Sequence, residues 1–116
     1  MTEQPSGDDL RRVLANMWQG RRSEVASQVA SATDIARRIA HDESTDWTSL
    51  RANIHQLVGV LGVYRLDDLR ALVVSLDEAA RVGGDPTEAG IIADQLDELR
   101  RAVERHSGPS TAGEDQ

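Results

Sequence analysis

The 116-residue chain has no cysteine and no phenylalanine, and every one of its 13 basic residues is arginine. Without cysteine it can form neither a disulfide nor a thiolate metal site, and its redox compartment stays open. The aromatic residues are Trp18, Trp47 and Tyr64 alone. A core must then come from Leu, Val, Ile and Ala, a composition that favours packed helices over a sheet. Also missing is any apolar run near the ~18 residues that a membrane span needs. The opening MTEQPSGDD has neither a basic stretch nor an apolar centre, so it does not read as a secretion signal. The expectation is a soluble, cytoplasmic protein that avoids membranes.

What is present is charge, mostly negative. Twenty acids against 13 arginines give a net charge of −7, which argues against a general nucleic-acid binder. The imbalance is uneven: residues 1–58 carry seven arginines and eight acids, residues 59–116 six and twelve. The N-terminal half would therefore repel an acidic partner less. The length supports one domain.

Apolar residues recur at helical spacing through most of the chain. Leu10, Val13, Leu14 and Met17 predict a short helix over about 9–18, broken at Gly20 and lying across one end of something larger. Val25, Val29, Ala32, Ala36 and Ile39 predict a second over about 22–41, with Arg37 and Arg38 suited to its C-terminal end. HDESTDW is polar and aperiodic and reads as a turn. Leu50, Ile54, Leu57 and Leu61 predict a third over 48–64, and Leu69, Val73, Leu76 and Ala80 a fourth over 66–82, stopped by Gly83-Gly84. Asp85-Pro86-Thr87-Glu88 is an N-terminal signal: a capping aspartate, proline at the first helical position, glutamate at the third. The fifth helix runs on to about His106, with Ile92, Leu96, Leu99 and Val103 inward. Residues 1–8 and the tail from 107 to 116 have nothing to bury and are expected to be disordered. The fold class expected is all-α, an antiparallel up-down-up-down four-helix bundle with a short N-terminal covering helix.

One residue breaks the monotony of the third helix. His55 is followed at i+4 and i+7 by Gly59 and Gly62, which places all three on one face. Two glycines inside a helix cost about 1 kcal/mol each relative to alanine. His55 itself lies about 100° round from Ile54, on the flank or outer face rather than on the apolar stripe. The plain reading is a surface or satisfied core histidine, with glycines that let a neighbouring helix come close. The chemical reading is an imidazole that acts as a nucleophile toward a phosphoryl group. Imidazole titrates near pH 6.5, so a neutral nitrogen is available at neutral pH. Phosphoryl transfer asks mainly for positioning and charge neutralisation. A partner supplying metal and carboxylates would need only an exposed ring and a bare surface on which to dock. Arg51, one turn before His55, is the near cation for such a group, and Arg65, further along, the more distant one.

Other chemistry finds less support. His41, His55 and His106 lack metal-ligand spacing such as HExxH, and GVLG lacks the lysine and preceding strand of a phosphate-binding loop. Asp67-Asp68 and Asp77-Glu78 read as capping or solvated groups, and Trp18 and Trp47, each near a helix end, as lids over the core.

The run from His55 to Leu69 resembles the signature of histidine-containing phosphotransfer (HPt) domains, carried here by His55, Leu57, Gly59, Gly62, Tyr64 and Leu69. The resemblance extends over about residues 9–106 in helix arrangement, and its specific part covers some fifteen residues. It implies a phosphocarrier rather than a self-contained enzyme, with His55 phosphorylated and Gly59 giving access. It implies a docking face of Arg51, Gln56, Val58, Gly59, Gly62 and Arg65, and as partner a response-regulator receiver domain or a hybrid histidine kinase. No intrinsic cofactor is implied, Mg²⁺ being supplied by the partner receiver, and the chain is expected to be a monomer. Two positions depart from the family pattern: Val58 stands where lysine is frequent, and Arg65 where a second glycine is usual. The alternative is a non-catalytic helical module that binds a receiver or kinase on the same face without phosphotransfer.

Overall fold

A computed structural model of the chain describes residues 7–109. Four helices form: α1 (Gly7–Ala40), α2 (Trp47–Val63), α3 (Asp67–Val82) and α4 (Pro86–Arg105). Their starts and stops follow local chemistry. Asp46 caps α2, accepting hydrogen bonds from the Ser49 amide at 3.0 Å and the Ser49 hydroxyl at 2.7 Å. The hydroxyl first, and then the amide, hold the Asp46 carboxyl below its ordinary range. Asp85 caps α4 by accepting from the Thr87 amide at 2.9 Å, with Pro86 in the first turn, as the sequence pattern predicts.

Two helices end in the same two-bond closure. After α2, Arg65 takes a left-handed conformation (φ 59°), its amide donating to Gly62 O at 3.1 Å and that of Leu66 to Leu61 O at 3.0 Å. After α1, Asp42 (φ 62°) donates to Ile39 O and Glu43 to Arg38 O. Arg65 thus occupies a position whose backbone favours glycine.

The helices pack as the expected antiparallel bundle. Arg37 of α1 meets Asp94 of α4 at 3.5 Å, and at the other end Trp18 meets His106, so these two run in opposite directions. On the far side, Gly62 lies against Arg70 and Trp47 against Gly83, which sets α2 antiparallel to α3. The periodic residues form one core: Val25, Val29, Leu50, Ile54, Leu57, Leu61, Val73, Ile92, Leu96 and Val103 are among those fully or almost fully buried. Each such side chain contributes about 1.5–3 kcal/mol, so the bundle readily tolerates the cost of its helical glycines. Trp18 and Tyr64 close one end, with ring centroids 5.5 Å apart. Among the described residues no helix is long and apolar enough to cross a membrane.

One expectation is corrected. The short covering helix over 9–18 is not separate, because α1 runs unbroken through Gly20 for 34 residues. Gly20 costs about 1 kcal/mol there, but the chain is anchored on both sides of it. Trp18 is 0% exposed and its indole N–H donates to His106 O at 2.9 Å. Gln19 donates to Ser107 O, and the Arg22 guanidinium to His106 O. Trp18 therefore sits mid-helix, yet still caps the core. Because α4 ends level with Trp18, the first eleven residues of α1 project about 16 Å beyond it, leaving Leu10, Val13 and Met17 exposed. Disorder was expected at both termini. Residues 1–6 and 110–116 lie outside the described residues; Gly7 and Asp8 open α1, and Gly108 of the expected tail is buried.

Candidate functional site

Within α2 the apolar stripe turns Ile54 inward and completely out of solvent. The next residue is rotated by about 100°, and the His55 side chain is accordingly 77% exposed. Its Nδ1 lies 3.3 Å from Oδ2 of Asp77, which reaches across from α3 and is itself 19% exposed. A carboxylate can only accept, so Nδ1 carries the hydrogen and donates it. The remaining lone pair then belongs to Nε2, on the exposed side of the ring.

Around this pair lies an open groove between α2 and α3, lined by Thr48, Arg51, Ala52, His55, Asp77 and Arg81. Both arginines in it are exposed. Neither takes part in any of the ion pairs among the described residues, whereas Arg12, Arg21, Arg38, Arg100 and Arg101 each pair with an acid on their own helix. The groove thus offers two unneutralised guanidinium groups beside one imidazole. Guanidinium is a planar, permanently charged donor suited to phosphoryl oxygens.

The residues singled out from sequence are distributed unevenly about this groove. Arg51 lines it with His55. A Cβ added at Gly59 meets nothing within 4 Å, so this glycine is bare surface and does not serve helix packing. Gly62 is different: a Cβ there would lie 3.3 Å from Arg70 Nε, because that side chain covers it. Gln56 is exposed, and Val58 is half-buried against the core. Arg65 is exposed at the turn, ten residues on from His55 and so about 15 Å along the helix axis. It is not a lining residue of the groove.

Sequence reading missed Asp77 and Arg81. Asp77 is not merely a solvated acid, since it holds the histidine ring. Its signal was available in the turn length: an antiparallel hairpin folded about residue 65 brings the middle of α3 opposite His55, and helical phase then selects Asp77 and, one turn later, Arg81. Among the described residues no group of three or more His, Asp or Glu side chains is arranged to hold a metal ion. Compared with known protein families, with curated proteins and with solved structures, the chain matches none.

Proposed function

We propose that this protein is a phosphorelay carrier that exchanges a phosphoryl group between His55 and the aspartate of a response-regulator receiver domain, alone or within a hybrid histidine kinase. The observation that carries the reading is the exposed imidazole with Nδ1 on Asp77 and Nε2 free, next to the bare Gly59. An all-helical bundle with His55 on its second helix also fits the HPt resemblance.

In the transfer, Nε2 attacks the phosphorus of the partner's acyl phosphate. The N–P bond forms as the P–O bond to aspartate breaks, and the carboxylate departs with the electron pair. Nδ1 keeps its hydrogen, so the ring becomes cationic and the Asp77 carboxylate stabilises it. Arg51 and Arg81 neutralise phosphoryl oxygens. Donation to a second receiver is the same step reversed, and the metal ion it requires belongs to the partner.

The test is incubation with a phosphorylated receiver and Mg²⁺. Wild type should acquire acid-labile label and His55→Gln none. Label that persists in His55→Gln, or a wild type that stays unlabelled across a panel of receivers, rejects the proposal. Val58 favours a second reading. Half-buried against the core, it places no cation where related patterns often have lysine. On that reading the face binds a receiver or kinase without transfer, and its mark is binding that survives His55→Ala with no label moved.

A further inference from the structure

At the opposite end of the bundle from Trp47, a second histidine is held in a different way. His106 follows α4, and its ring touches two other parts of the fold. Nδ1 accepts a hydrogen bond from the Gly108 amide at 3.0 Å. Nε2 faces both Asp68 oxygens, at 3.3 and 3.2 Å, and so donates to the start of α3. The ring stands edge-on to Trp18, at 86° with centroids 6.4 Å apart. It is largely buried, its side chain 19% exposed.

Beyond the ring, the chain folds back along α1. Ser107 O accepts from the Gln19 side chain at 2.9 Å. Gly108 is buried at φ +117°, and a Cβ there would lie 3.1 Å from Ala15 Cα. Only glycine suits this backbone and this gap. The segment is thus tied to α1 by one hydrogen bond, from Gln19, while a second, from the Gly108 amide back to His106 Nδ1, shapes the turn that lays Gly108 on Ala15.

That second bond requires a lone pair on Nδ1. An imidazolium has hydrogen on both ring nitrogens and can only donate. Protonating His106 would set Nδ1–H against the Gly108 N–H while leaving the contact with Asp68 intact and strengthened. Charged groups of both signs pack against this residue. Asp68 of α3 faces Nε2, and Arg22 of α1 is bonded to the His106 carbonyl at 3.0 Å. Arg105 precedes it on α4 and is exposed, and the turn after α2 contributes Tyr64, which reaches the cluster through Trp18.

We propose that His106 is a proton-operated clasp: the neutral ring holds Ser107 and Gly108 on α1, and the protonated ring releases them. The hinge lies just after His106, since its carbonyl stays bonded to Trp18 and Arg22 in either state. Release uncovers the α1 surface at Ala15, on the helix face opposite the exposed Val13 and Met17. This device is independent of His55 chemistry.

A ¹H–¹⁵N NMR titration of the full chain from pH 8 to pH 5 tests it. The Gly108 and Ser107 amides should lose heteronuclear NOE, and the Gln19 side-chain amide should shift, all with the midpoint of the His106 ring. Gly108→Ala at pH 8 should reproduce the acid positions of Gln19 and Ala15. A Gly108 amide that stays ordered while the His106 ring titrates overturns the clasp. So does a ring that remains neutral down to pH 5 in the folded protein, or the same Gly108 change in His106→Phe.

Discussion

On the proposed phosphorelay reading, the chemistry at His55 turns on which ring nitrogen is free, and the Asp77 carboxylate on the neighbouring helix decides it. Without Asp77 the neutral ring would distribute its hydrogen between both nitrogens, and the cationic product would lose its counter-charge. Replacing Asp77→Ala should slow transfer to the partner by about tenfold, the low end for a charge-assisted hydrogen bond at an exposed site. ¹⁵N shifts of the His55 ring should move at the same time toward a mixture of tautomers, a change that a purely structural role would not produce. At this scale sequence reading was half sufficient. His55 and Gly59 stood out because a polar ring and a bare position interrupt an otherwise ordinary amphipathic pattern. Asp77 and Arg81 did not, because acids and arginines on an outer helix face have no periodic signature until their partner across the groove is known.

Single helices carry their own testable consequences. The capping bonds from Ser49 keep the Asp46 carboxyl below its ordinary value in the folded chain. A group depressed in this way adds stability above its unfolded value and loses it as the pH falls through the folded one. Asp46→Ala should therefore lower the melting midpoint at pH 7, and the gap from wild type should close below about pH 4; paired thermal melts across that range check both. In α1, Gly20 is exposed and a Cβ would meet nothing within 4 Å. Gly20→Ala should stabilise the protein by about 1 kcal/mol, raising Tm by roughly 4 °C in calorimetry. The sequence marked Gly20 as a break because glycine is a local signal. The anchors that override it, His106 and Ser107, lie more than eighty residues away and come close only once α4 has packed.

In the whole molecule, the apolar periodicity fixed four antiparallel helices and most of the core. The residues placed inward on α2 through α4, from Leu50 to Val103, are buried, except that Val58, which widens the α2 stripe, is half-buried. What periodicity could not supply was the relative register of neighbouring helices, which decides whether side chains distant in sequence meet. Between α2 and α3 that register is held by three residues, Tyr64, Arg65 and Leu66, closed by the bonds from Arg65 and Leu66 back to Gly62 and Leu61. A longer turn would lose these bonds and with them the register that they set between α3 and α2. His55 meets Asp77, and shares its groove with Arg81, through that register. The site therefore depends on a length as much as on side chains. Turn length is thus a second thing to compare in any related sequence, beside the groove residues themselves.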